Sequence, residues 1–171
     1  MSASSASIPA SKSFALAGFY RGFCNMVNFL RSPFLLFVRL YWGWQFMQTG
    51  WGKLHNLSHV KEFFTSLHIP APGLMAPAIA SLEFFGGILL IVGLATRLIG
   101  VLLACNMLVA YITSDLPALS SIFSDPGKFY IADPFTFLFA SLIAFIFGAG
   151  LFSLDAVIDK VWLESRSPVS S

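Results

Sequence analysis

The chain has 171 residues, of which 57% are hydrophobic, 16% aromatic and only 11% charged, and its mean hydropathy is +0.79. Soluble domains carry roughly 25% charged residues, so this composition argues against an ordinary water-soluble fold and points to lipid as the main solvent. A net charge of +2 with no basic cluster argues against a nucleic-acid partner, and two distant cysteines, Cys24 and Cys105, offer neither a disulfide framework nor a thiolate metal site.

In chain order, "MSASSASIPASKS" reads as a polar tail. The following stretch sets Phe19, Phe23, Met26, Val27 and Leu30 at helical spacing, as an amphipathic helix on a membrane surface would. The basic residues Lys12, Arg21 and Arg31 precede no short apolar core with a small-residue cleavage site, so a signal peptide is not expected. Residues 1–32 are therefore expected to be a tail and interfacial helix, 33–157 a membrane domain, and 158–171 a cytoplasmic C-terminal segment.

Crossing a bilayer core takes about 20 largely apolar residues. Four stretches qualify: 33–54, interrupted by Arg39; 74–94, centred on Glu83; 98–114; and 134–154, which carries no charge at all. The expected fold is thus all-α, an integral membrane four-helix bundle preceded by the surface helix. Between the first two spans, "HNLSHVKEFFTSLHIPAPG" should form a short interfacial helix. In "GLATR", Gly93 suits the end of one helix and Thr96 the cap of the next. Lys12, Arg21, Arg31, Arg97, Lys160 and Arg166 on one side against Lys53, Lys61 and Lys128 on the other favour both termini on the cytoplasmic side.

At about 1.5 Å per residue, Glu83, Gln45 and Asn106 fall near mid-membrane, with Arg39 about a side chain's length below. An ionisable residue at that depth costs on the order of 3 kcal/mol, so the least costly arrangement turns these groups into the bundle. Arg39, Gln45, Glu83 and Asn106 are the candidate ligand-binding residues, with Arg39 expected to pair with Glu83 directly or through Gln45 or water. Gly86 and Gly87 share the face of Glu83, and Gly43 and Gly50 that of Arg39, so these faces should be the helix contacts. Arg97 and Asp155 lie at the ends of neighbouring spans and are expected to form a structural ion pair, with Asp155 also able to cap the helix after it. Lys53, at the end of its span, is expected to snorkel to the headgroups. His55, His59 and His68 cluster in sequence, but only Glu62 could complete a ligand set, and no metal site is expected. No nucleotide-binding motif is present.

The residues "RLYWGWQFMQTGWGKL", "IPAPGLMAPAIASLEFFGGILLIVGLATRL" and "FGAGLFSLD" resemble the DoxX family of small bacterial four-helix membrane proteins, over residues 33–157. The resemblance implies a four-helix bundle and a link to quinones. Some members are subunits of a thiosulfate:quinone oxidoreductase or are tied to quinol oxidation; others are associated with resistance to quinones or with a membrane complex that handles oxidative stress. The positions matching the family's motifs are Arg39, Gly43, Gly50, Lys53, Glu83, Gly86, Gly87, Thr96, Arg97, Ser153 and Asp155, and none brings a catalytic role with it. A quinone-contacting redox subunit, working with membrane lipids and a redox partner protein, is the resulting expectation, and a homo-oligomer is compatible with it. Two other roles are open on the residues alone: a scaffold whose polar centre only registers the helices, and a small carrier.

Overall fold

The structure, a computed structural model, describes the backbone of residues 10–166 and the side chains of residues 18–163. The tail before residue 10 lies outside the described residues. Eight helices and no strand occur among the described residues: α1 Ala10–His55, α2 Leu57–Ser66, α3 Pro72–Val92, α4 Thr96–Ser114, α5 Leu116–Ser120, α6 Pro126–Ile131, α7 Pro134–Phe147 and α8 Leu154–Arg166.

Four of them, α1, α3, α4 and α7, pack side by side as two tight pairs, α1 on α3 and α4 on α7. Glycine sets the closeness of both. A β-carbon added at Gly87 would lie 2.5 Å from the Met47 nitrogen, and one at Gly50 would strike the Phe84 backbone. One at Gly100 would lie 2.7 Å from the Phe145 nitrogen. Such approaches replace the missing hydrophobic drive between helices in lipid with backbone-to-backbone dispersion. Phe46, Leu90, Leu103, Met107, Tyr111 and Leu138 fill the space where the pairs meet, and the Tyr111 hydroxyl donates to the Phe129 carbonyl at 2.8 Å. A smaller cluster, Val60 and Phe64 of α2 against Ala76 of α3, lays α2 over the start of α3. The outer faces are apolar on each packed helix, through Phe37, Phe85, Ile112 and Phe139, the reverse of a soluble surface.

Two expectations change. The surface helix and first span are one helix of 46 residues rather than two elements, running through Pro33. Proline removes only its own N–H bond to the carbonyl four residues back, and both Pro33 and Phe29 are exposed, where the ring meets no neighbouring helix. At about 70 Å, α1 is far longer than a bilayer core, and residues 18–31 extend past the packed region, almost all of them exposed. The fourth apolar stretch is helical only to Phe147, because Gly148 and Gly150 adopt left-handed φ values of 72° and 73°. At 14 residues α7 is about 21 Å long. Two helices, α3 and α4, are each long and apolar enough to cross a membrane.

The glycine contacts make a stability prediction. Gly50→Ala and Gly87→Ala should each destabilise by about 1–3 kcal/mol in detergent melts, since backbone must move. Gly52→Ala, on the same helix with nothing within 4 Å, should be neutral or stabilising by up to about 1 kcal/mol.

Candidate functional site

Glu83 lies midway along α3 and is 1% exposed. Its partner is Lys53. The ammonium donates to both carboxylate oxygens, at 2.6 and 2.7 Å, while the Asn106 amide donates to Oε1 at 3.0 Å. Three helices, α1, α3 and α4, thus converge on one carboxylate, whose charge is met by a cation and an added donor. That is the condition under which a buried carboxylate is tolerated. Lys53 reaches it because the glycine contacts seat α1 and α3 antiparallel, with Gly50 against Ala80 and Phe84. Its side chain, 36% exposed, bends inward to the acid instead of outward to headgroups.

The same register separates Arg39 from Glu83. Gly43 faces Gly87 and Ile91, so Arg39, a further turn along, reaches the level of Gly93. From residue 50 to residue 39 is about 16 Å along the helix, beyond a side chain's reach. The expected Arg39–Glu83 pair is therefore not formed. Arg39 is 2% exposed, packs against Gly93, and donates to the Ala149 and Phe152 carbonyls, both at 2.6 Å. Its Nε has no partner among the described residues. Gln45 is half-buried and makes no hydrogen bond to the cluster, so it does not bridge the two. Of the four candidates, the structure brings together Glu83 and Asn106 alone.

Arg97 and Asp155 form no ion pair either. Asp155 caps α4 from a distance: Oδ1 accepts from the Ala95 N–H at 2.7 Å and Oδ2 from the Thr96 N–H at 2.9 Å. Its own N–H donates to the Gly93 carbonyl at 2.9 Å. Gly93 ends α3 with a left-handed φ of 74°, as expected, but Thr96 is not the cap; it sits one position inside α4, and its hydroxyl has no partner among the described residues. Ser153 caps α8 by accepting from the Ala156 N–H at 3.1 Å. Arg97 is exposed, with its Nε beside Gly148.

A cavity of about 820 Å³ leads to the Lys53–Glu83–Asn106 cluster. Thr49, Lys53, Glu83 and Asn106 are polar at its base, Phe46, Phe64, Met107 and Phe137 line its walls, and His59, Ser114, Asp115 and Asp133 stand toward the helix ends. The volume lies in the range of small-molecule sites, and so does the pattern of apolar walls with a few convergent polar groups. Of the histidines, only His59 lines it; His55 Nδ1 is 2.9 Å from the Trp51 carbonyl, and His68 lies in the turn after α2. Among the described residues no three His, Cys, Asp or Glu side chains converge as metal ligands would.

Lys53 is the functional residue that sequence reasoning missed. Its signal was its spacing on the Gly43–Gly50 face, three residues past Gly50, which placed it on the contact side. A double-mutant cycle separates the pairings. Lys53→Met and Glu83→Gln should show a coupling of about 1–3 kcal/mol in detergent melts, whereas Arg39→Gln and Glu83→Gln should add within about 0.5 kcal/mol.

Residues 34–115 match the DoxX family model. The chain is 39% identical over 83 residues to a Bacillus subtilis protein named "Putative oxidoreductase CatD", which covers 48% of this chain and 60% of that protein. It is 25% identical over 118 residues to inner membrane protein YqjF of Escherichia coli, covering 68% of this chain and 85% of that protein. The chain thus spans less than two thirds of the length of CatD. No solved structure matches the chain to a significant degree. The matched segment contains α2 through α4 and the packed part of α1, and with them Lys53, Glu83 and Asn106. Over residues 34–115 the chain carries a DoxX-family domain, and within it α3 and α4 are each long and apolar enough to cross a membrane.

Proposed function

We propose that this chain is the quinone-binding membrane subunit of a redox system in the bacterial inner membrane, with α1, α3, α4 and α7 as its spans. The observation that carries the reading is the cleft of about 820 Å³ ending on a buried glutamate and asparagine and a half-buried lysine. A cluster that only registered helices would have no need of a cleft leading to it. The groups suit a quinone head: a carbonyl oxygen can accept from the Lys53 ammonium or the Asn106 amide, and a quinol hydroxyl can donate to the Glu83 carboxylate. The pair is charge-balanced, so it favours an uncharged head over an anion or cation. Electrons are brought or taken by a partner redox protein, for the chain carries no nucleotide-binding motif of its own. The name of its relative CatD, an oxidoreductase, agrees with this assignment.

The short α7 fits a spanning role once the segment after it is included. Non-helical backbone is tolerated at membrane depth only where protein satisfies it. Arg39 does so for the Ala149 and Phe152 carbonyls, and so the chain from Pro134 to Ser153 can complete the fourth crossing. Both termini then lie on the cytoplasmic side with the larger set of basic residues.

Binding of a short-chain quinone analogue to the detergent-purified protein tests this directly. Glu83→Gln and Asn106→Leu should each weaken it about 10- to 100-fold, the range for losing a hydrogen bond at a charged group. Cys105→Ser, at an exposed site on α4, should leave it unchanged. Failure of the native protein to bind, or equal binding by all variants, contradicts the assignment.

A further inference from the structure

The cleft opens toward one end of the bundle. Its outer residues are His59 on α2, Ser114 and Asp115 at the C-terminus of α4, and Tyr130 and Asp133 around the end of α6. All of these belong to the end of the molecule where α1 stops and α3 begins. Hydroxyl-bearing Ser114 and Thr113 of α4 and Thr49 of α1 line the cavity, with Ser114 donating to Asp115 at 2.9 Å. At about 30 Å³ per water, the cavity has room for about 27.

The opposite end holds a separate cavity of about 380 Å³, lined by Arg97, Gly148, Ser153 and Asp155, which shares no lining residue with the first. Below the cluster, Phe46, Leu90 and Leu103 are at most 2% exposed, and helix backbones touch at Gly43–Gly87 and at Gly100–Ser141. Farther down, Arg39 fills the space between Gly93 and the 149–152 segment, and Asp155 ties that segment to the start of α4. The Ala149 and Phe152 carbonyls are bonded to the guanidinium, while Arg39 Nε and the Thr96 hydroxyl have no partner among the described residues.

We infer that Lys53, Glu83 and Asn106 exchange protons and ligand head groups with a single compartment, the one faced by α2, α5 and α6, and are sealed from the compartment faced by α8. A proton taken up by Glu83 comes from water of the first compartment, and one lost from Lys53 goes there. For a quinone ligand this makes head-group chemistry one-sided across the membrane. The inference deepens the quinone assignment, but access can be measured without any ligand, so the two can fail separately.

The test is cysteine accessibility in sealed vesicles, in the full chain with Cys24→Ser and Cys105→Ser. Thr49→Cys and Thr113→Cys report the cleft, Lys128→Cys on α6 reports its end of the molecule, and Asp159→Cys on α8 reports the other. A membrane-impermeant charged thiol reagent is applied to vesicles of each orientation. Thr49→Cys and Thr113→Cys should react in the orientation in which Lys128→Cys reacts, at least tenfold faster than in the orientation in which Asp159→Cys reacts. Reaction from the Asp159 side, or protection of both cleft cysteines from either side, overturns the inference. Two independent cleft positions guard against one substitution that fails to fold.

Discussion

A carboxylate held at 1% exposure in the middle of an apolar helix is the constraint from which the arrangement of the other helices follows. Left alone it would cost several kcal/mol, whether the surroundings are protein or lipid. The chain meets that cost with a bidentate ammonium and an amide, taken from the two helices on either side of α3. Those donors have to arrive at one level. This requires α1 and α3 to approach to backbone contact, which glycine allows at positions 43, 50 and 87. The ion pair and the glycine contacts are therefore one device: the glycines set the register, and the register delivers Lys53 to Glu83.

The second cation solves a different problem. Arg39 satisfies two carbonyls in a segment that leaves the helix at Gly148, and it does so 110 or more residues away in sequence. Asp155 then returns from that segment to cap α4. One end of the bundle is thereby tied together by backbone carbonyls, an arginine and an aspartate, and its cavity of about 380 Å³ is separate from the cleft. The other end is held by α2 and α6 around a cleft. The asymmetry between an end cut off from the polar centre and one open to it is what gives that centre a direction.

Much of this was legible in the sequence, and each error has its own physical cause. Glu83 and Asn106 were placed at the same level by counting residues, and the counting succeeded because both lie on unbroken helices that begin within two residues of the expected starts. Gly86, Gly87 and Gly93 were read correctly from face and turn chemistry. Arg39 was assigned to Glu83 because depth was counted from Pro33, taken as the start of a span; α1 runs through that proline, so the origin of the count was not a helix boundary. Lys53 was assigned to headgroups by the habit of terminal lysines, although its position on the glycine face pointed inward. Asp155 and Arg97 were paired by charge and proximity, whereas the free N–H groups at the start of α4 were the stronger claim on the carboxylate. The stop at Gly148 was hidden by an unbroken apolar run, in which hydropathy outweighs the turn signal of two closely spaced glycines.

The account rests on the contact between Lys53 and Glu83, and one distance decides it. Solid-state NMR on the protein in lipid, with 15N-labelled lysine and 13C-labelled glutamate and the signals assigned through Lys53→Met and Glu83→Gln, measures Lys53 Nζ to the Glu83 carboxyl carbon. The structure requires about 3–4 Å, as for any hydrogen-bonded ammonium and carboxylate. A separation beyond about 6 Å, too long for that hydrogen bond, would contradict it.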